Sequence, residues 1–503
     1  MAKKAAKADG GAATIEAEES GSLLSSIVEV TGSAERKDEV TDGLTDLIGR
    51  VMSGVTTVDR SVIRTIRNAI VGIDRQMSEQ LSAIMHHEDF TKLEGSWRGL
   101  HHLVMNSETG KDLKLKVLNA TKEELKRDLD KAVDFDASKL FVDIHDEEFG
   151  MPGGSPYSCL IGDYEFSAHP EDVGLLRKIS DVAAEAHCPF ISGVAPAMFG
   201  MESFDELRRP LDIERIFSSR KYTQWKSFRN TENSRYCSLV MPRALARIPY
   251  GANTTGINRE FQFEELPVDP ETGESLEARH DQFCWMNAAY AYGTVLTRAH
   301  ANTGWCTAIR GRENGGTIEE LPVYTFKSDD GDEVNKCPTE IAITGRREAE
   351  LSRQGFIPLC HYKDEDFSVF FGAQTCNEPK VYTDDDATAN AAISARLPYI
   401  MAASRIAHYL KVIARDKVGS FMGREDAEKW LNGWIRQYVV SNESATAADK
   451  ARFPLAEASI DVSEIPGQPG SYNAVAHLRP WLQLESLTAT VSMVAKIPAR
   501  EKT

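Results

Sequence analysis

Between residues 157 and 197 the hydrophobic period of this chain changes twice, and no other feature restricts the fold as much. "YSCLIGDYEF" is a short apolar run suited to a strand. "HPEDVGLLRKISDVAAEA" then recurs at helical spacing, and "CPFISGVAP" is again a buried-strand pattern. Strand, helix and strand in this order imply an α/β layer with at least partly parallel pairing. Upstream, "DLKLKVLN" alternates like a strand, and "TKEELKRDLDKAV" follows as a charged helix. Downstream, "RYCSLVMPRALARIPYG" reads as a strand entering a loop punctuated by proline and glycine. Residues 284 to 440 return to long helices, among them "CWMNAAYAYGTVLTRAHA" and "ARLPYIMAASRIAHYLKVIARD". The expected fold class is α/β in the broad sense, mixed α+β.

The two ends differ from this middle. Residues 1 to 20 are rich in alanine, glycine and charge, a composition that predicts a disordered tail. In "SLLSSIVEV", Ser22 can cap a short helix in which Leu23, Leu24, Ile27 and Val28 share a face. Such a helix either folds back on its own domain or docks in a partner's groove. Val40, Leu44, Leu47, Ile48 and Val51 form a second amphipathic pattern. Ile63, Ile66, Ile70, Ile73, Met77, Leu81 and Ile84 step by three and four throughout, a seam suited to helix–helix contact. Near the other end, "LAEASIDVSEI", the turn "PGQPG" and "YNAVAHL" predict a hairpin. In "SLTATVSMVAKI", Leu487, Ala489, Val491, Met493 and Ile497 fall on one face. That strand is either a sheet member at home or a strand offered to a neighbour.

Composition narrows the function. With 503 residues the chain has material for about three domains. Its net charge of −18 argues against nucleic acid or anionic membrane as the main partner, since both call for a basic surface. No apolar run reaches the ~18 residues that span a bilayer, and "MAKKAAKADGGAATIEAEES" has no secretory h-region. Cys159, Cys188, Cys237, Cys284, Cys306, Cys337, Cys360 and Cys376 are scattered without a C-x-x-C pair. They fit reduced core thiols of a cytosolic protein better than disulfides or a zinc site.

The search for chemistry is largely negative. In "HHEDFTKLEGSWRGLHHL", His87-Glu88 starts the H-E-x-x-H zinc pattern, but Thr91 occupies the second histidine's place. In one helix the two histidine pairs would lie about 22 Å apart, too far to share an ion. Phe90, Leu93, Trp97, Leu100 and Val104 instead form one apolar stripe, which predicts a buried packing helix. "IRGRENGGTIEELP", with Gly311 to Gly316, could offer N–H groups to a phosphate, but it lacks the P-loop lysine and reads as a tight turn. The aspartates of "KSDDGDEV" fit a hairpin turn, and those of "YTDDDATAN" fit a helix N-terminus. His408 reads as a hydrogen-bonded core histidine. No nucleophile, base and orienter assemble, so no cofactor is expected. The enzyme alternative is a metal- or phosphate-binding site at His86/His87 or Gly311–Gly316.

"FTKLEGSWRGLHHLV" resembles the F-x-x-L-E-x-x-W-R-G-L signature of the large sheath subunit of type VI secretion systems, the TssC, VipB or EvpB family. The resemblance continues through "QWKSFRNTENSRYCSLVMPRALARIPYG", "CPTEIAITGRREAELSRQGFIPLCHYK" and "LRPWLQLE", from about residue 60 to the end. Its signature positions here include Glu94, Trp97, Arg98, Gly99, Pro242, Arg243, Pro249, Tyr250 and Gly251.

The resemblance implies a machine component, not an enzyme. A TssB/VipA-like small sheath subunit would pair with this chain. The heterodimers would stack as a helical tube around an Hcp inner tube, assembled on a baseplate and contracting to drive tube and spike into a target cell. A ClpV-type AAA+ unfoldase would recycle the contracted sheath. The location implied is the bacterial cytoplasm, anchored through the baseplate to the cell-envelope complex. Leu23, Leu24, Ile27 and Val28 would form the unfoldase-recognition helix, and Leu487 to Ile497 a strand linking neighbouring copies of the sheath. The implied division is a flexible tail over 1–57, a helical region packing with the small subunit over 58–110, a mixed α/β domain over 111–380, and an inner sheath domain over 381–503. Without a nucleotide motif, the work of contraction would come from the free-energy difference between two packings.

Overall fold

The computed structural model describes residues 62–252, 254–258, 261–266, 280–327, 333–363, 365–417, 423–442, 444–466, 471–481 and 483. The chain divides into two compact units, Met1–Thr91 with Ile248–Phe283 and Lys92–Arg247 with Cys284–Thr503.

In the first unit the long element is helix α1 (Val62–Met85). It buries Ala69, Ser78 and Met85. The loop around Glu265 is fastened to it by polar bonds. The Ser82 hydroxyl donates to the Glu265 carbonyl at 3.2 Å, and the Glu264 N–H donates to Ser78 Oγ at 3.4 Å. After a turn at His86 and His87, helix α2 (Glu88–Met105) begins with Glu88 and Asp89, charges that suit a helix N-terminus.

The second unit is built on a six-stranded sheet. Its order is β1 (Leu160–Phe166), β2 (Phe190–Val194), β3 (Cys237–Met241), β5 (Phe356–His361), β6 (Ser368–Phe370) and β4 (Thr317–Ile318). The first four are parallel, and the last two pair antiparallel. Helix α3 (Lys122–Lys131) opens with a capping box between Thr121 and Glu124. Helix α4 (Pro170–Glu185) makes the crossover from β1 to β2 that the changing period requires.

Alternate strand residues feed two cores. Phe190, Leu239 and Phe356 pack with Leu176, Ile179 and Trp225. Ile191, Val240 and Ile357 pack on the other face with Tyr292 and Val295 of helix α5 (Ala288–Thr303). Both faces are covered, as parallel sheets require. A third core gathers Trp305, Ile406 of helix α6 (Leu397–Asp416), Ile435 of helix α7 (Arg424–Ile435), and Leu455, Ile460 and Val462 of hairpin strand β7 (Leu455–Glu464). Strand β8 (Tyr472–Pro480) completes that hairpin in antiparallel register.

Three expectations need correction. "DLKLKVLN" is not a strand here, because nothing among the described residues pairs with it. Residues 284 to 440 are not only helices, since β4, β5 and β6 lie among them. "FIPLC" is buried on both faces, so it shows a continuous apolar run and no period. Finally, the stripe on α2 does not pack inward. Phe90, Leu93, Trp97 and Val104 are exposed and Leu100 is half-buried, whereas the buried positions are Gly95, Gly99 and Leu103.

Candidate assembly surfaces

Helix α1 keeps most of its apolar seam on the outside. Ile66, Ile70, Ile73, Met77 and Ile84 are exposed, with Val71 beside them, and Leu81 is half-buried. The Ile63 side chain lies outside the described residues. Five large apolar side chains along one exposed helix are the kind of surface that marks a contact with another protein.

Helix α2 makes its inward contact with glycines. A Cβ on Gly95 would lie 2.4 Å from the Trp285 carbonyl oxygen, and one on Gly99 would lie 2.3 Å from Tyr290 Cδ2. Without side chains there, the helix backbone packs directly against Trp285 and Tyr290 within the second unit, and its bulky residues are left facing outward. The four-residue spacing of Gly95 and Gly99 was a visible signal for this face. Sequence reasoning gave weight to the large residues and missed it.

The signature residues divide by role. Arg247 Nε donates to Glu94 Oε1 at 2.6 Å, and Arg98 Nε donates to the same oxygen at 2.7 Å. Burial raises the Glu94 pKa, but the hydrogen bonds from Arg247 and Arg98 outweigh it and hold the carboxyl below its usual range. Pro242 follows a cis peptide bond. Arg243 pairs with Glu340 at 2.8 Å and with Glu165 at 3.5 Å. Burial pushes the Glu165 carboxyl up despite Arg243. In the first unit, the Pro249 carbonyl accepts from Thr254 Oγ1 at 2.6 Å, and the Gly251 carbonyl accepts from the Thr255 N–H at 2.9 Å. The Tyr250 N–H donates to Glu265 Oε2 at 2.8 Å. These residues fix the interior. Trp97 differs, because two-thirds of it is exposed.

The histidines are structural fittings. His86 Nε2 lies 3.1 Å from Glu265 Oε1, a carboxylate whose side chain is fully buried. His87 Nδ1 accepts from the Asp89 N–H at 3.3 Å at the start of α2. His408 Nε2 meets the Ala186 carbonyl at 3.0 Å, as a core histidine should. In the glycine turn, Gly311 and Gly315 take positive φ. The Gly311 N–H donates to Phe370 O, and the Gly316 N–H to Gly311 O, so neither is offered to a phosphate. Asp384 caps a helix over Asp385–Ser394, as its aspartates imply. All eight cysteines are free thiols. Among the described residues no group of three His, Cys, Asp or Glu side chains is placed to hold a metal, and no helix is long and apolar enough to cross a membrane.

At the C-terminal end, hairpin β7–β8 has only two strands among the described residues. Asn432 of α7 bonds both backbone groups of Ile460, at 2.7 and 3.0 Å, and occupies part of the β7 edge. The segments Leu23 to Val28 and Leu487 to Ile497 lie outside the described residues.

Comparison with known proteins agrees with a structural role. The profile of the EvpB/VC_A0108 tail sheath N-terminal domain matches residues 67–377, and that of the EvpB/VC_A0108 tail sheath gpW/gp25-like domain matches residues 386–497. The type VI secretion system sheath protein TssC1 of Pseudomonas aeruginosa is 43% identical over 499 residues, covering 98% of each chain. Among solved structures, the baseplate of the anti-feeding prophage aligns at 11% identity over 76% of this chain and 83% of that chain, with a TM-score of 0.38. The contracted helical sheath of the same particle aligns at 10% identity over 63% of this chain and 66% of that chain, with a TM-score of 0.29. On the strength of the two profiles and of identity sustained over nearly its whole length, this chain belongs to the EvpB/VC_A0108 tail sheath family, the large sheath subunits of type VI secretion systems, which are structural proteins and not enzymes.

Proposed function

We propose that this chain pairs with a small sheath subunit through the outward face of α1, and that the heterodimers polymerise as a helical sheath around an Hcp tube. The observation that carries the pairing is the exposed row Ile66, Ile70, Ile73, Met77 and Ile84. Covering that row removes apolar surface from water at about 25 cal/mol per Å². Trp97 adds an aromatic anchor on α2 of the type that dominates interface energetics.

Neighbouring copies are linked by strands. A two-stranded hairpin is marginal in water, and the outer edge of β8 is open among the described residues, which supports addition of a strand there. Leu487, Ala489, Val491, Met493 and Ile497 are our candidates for such a donated strand. Leu23, Leu24, Ile27 and Val28 are our candidates for recognition by a ClpV-type unfoldase. We place the sheath in the bacterial cytoplasm, held through a baseplate to the cell-envelope complex. We also keep a division at 1–57, 58–110, 111–380 and 381–503. The interval between the two matched profiles supports its last boundary.

Co-expression with the small subunit, followed by negative-stain electron microscopy, tests this reading. Long tubules are expected. Small discrete particles of well-folded protein would overturn polymer formation as a property of the pair.

A further inference from the structure

In the second unit, Val142–Gly150 winds as a π-helix, a form that is rare and gathers at functional positions. Phe141, His145 and Phe149, spaced by four, stack in sequence, with ring centres 4.5 and 5.3 Å apart. Phe141 and Ile144 are anchored in the core beneath the sheet. Beyond Ile144 the packing changes character, because Phe149 is buried among imidazoles. Its ring centre lies 5.1 Å from His408 of α6 and 6.1 Å from His187, and those two rings are 6.3 Å apart.

The neighbours of Phe149 are held with little slack. His187 follows α4 at a φ of 50°, a left-handed conformation that costs a non-glycine residue energy. Its Nδ1 lies 3.3 Å from the Tyr236 hydroxyl. His408, Lys411 and Arg415, spaced by three and four, share one face of α6. Lys411 Nζ lies 3.5 Å from the centre of the Phe149 ring and 3.4 Å from His145 Nε2. Arg415 donates to the Met151 carbonyl at 2.9 Å.

This nest is poor in acid. Around it stand Arg405, Lys411 and Arg415 of α6, against Asp146, 2.8 Å from His145 Nδ1, and Glu185 at the end of α4. His300 of α5 lines the same small chamber as Arg405 and His408. Because His408 Nε2 faces the Ala186 carbonyl, that nitrogen carries the proton of the neutral ring. Nδ1 has no partner among the described residues. A second proton there would be a buried N–H without an acceptor, beside cations. Burial already holds His187 and His408 below the usual imidazole range.

We propose that His145, His187 and His408 around Phe149 form a proton-operated latch, which releases residues 145–151 from α6 when the nest is protonated. Ile144 is the pivot, and withdrawal of Phe149 admits water to His187 and His408. Outside the nest, the partly exposed Lys116–Glu148 pair is a weak restraint. The segment continues into Gly154–Tyr157, one wall of a groove of about 900 Å³ whose other wall is Lys111–Lys116, so release loosens that wall.

Hydrogen exchange of the full-length chain at pH 7.5 and 5.5, corrected for intrinsic exchange rates, tests the latch. His408 releases its proton at about 4 when latched and at the ordinary 6.5 when freed, which favours opening about tenfold over that interval. Amides of residues 145–151 should lose about that much protection, while those of β2 and β3 keep theirs. His187→Asn/His408→Gln keeps a residue that tolerates left-handed backbone and a donor for the Ala186 carbonyl, but removes both titrations. Its protection should be the same at both pH values. Unchanged protection of the wild-type segment overturns the latch, as does an equal loss in β2 and β3. A tenfold loss that persists in the double variant also overturns it. The wild-type comparison decides the question by itself if that variant does not fold.

Discussion

Glu94 and Arg247, 153 positions apart, meet in a 2.6 Å ion pair with both side chains almost fully buried. The contact ties α2 to the short strand Ala244–Arg247, and Arg98 closes the same carboxylate from one turn along the helix. Removing one partner of a buried pair strands the other charge.

Arg247→Ala should therefore destabilise the protein by about 3–5 kcal/mol. The pair also carries an acid dependence. Its folded-state pKa is lowered from the 4.5 of a free carboxyl, so its stabilisation is complete above that value and is lost as pH falls through the folded pKa. Urea midpoints between pH 7 and 3.5 should fall less steeply at the acid end for Glu94→Gln than for the wild type.

Gly95→Ala should be worse than Gly99→Ala, although both add one methyl group. The first meets the Trp285 backbone, which cannot rotate away, and the second meets the ring of Tyr290. Overpacking of this kind costs about 1–3 kcal/mol. Thermal midpoints of the two variants in the assembled complex check the order.

His408 gives a different pH signature. Burial first, then Arg405, His187 and Lys411, lower its pKa from 6.5 to about 4 despite the Ala186 hydrogen bond. The unfolded chain binds this proton more readily than the folded one between those values. Stability should thus be intact above pH 6.5 and fall by about 3 kcal/mol towards pH 4. His408→Gln should flatten that limb of the stability curve while leaving the Glu94 limb below it.

Trp97→Ala should leave the fold almost unchanged, because most of the side chain touches solvent in the single chain. Assembly should suffer far more, since an aromatic anchor is worth about 2 kcal/mol or more at an interface, roughly thirtyfold in affinity. Equal thermal midpoints with weaker co-purification of the small subunit is the expected pattern.

Much of the fold was legible because local chemistry and burial agreed. The change of period between residues 157 and 197 specified β1, α4 and β2, and the "PGQPG" turn specified hairpin β7–β8. The short strands β5 and β6 were not legible, since a strand buried on both faces loses its alternation. The outward direction of the α2 stripe was hidden for a related reason. Periodicity shows that residues share a face, but not which face turns inward, and here two glycines decide it. "DLKLKVLN" was legible as a strand, but nothing among the described residues pairs with it. Family membership was readable from long ordered stretches of sequence, whereas the buried pairing of Glu94 with Arg247 depends on tertiary contact.

On the reading proposed above, the exposed face of α1 receives the small subunit. The direct measurement is co-purification of the small subunit with full-length Ile70→Asp/Met77→Asp, two exposed positions where aspartate does not disturb the core. A thermal midpoint like that of the wild type and at least a tenfold loss of bound small subunit are expected. Wild-type recovery of the small subunit by this variant would contradict that reading.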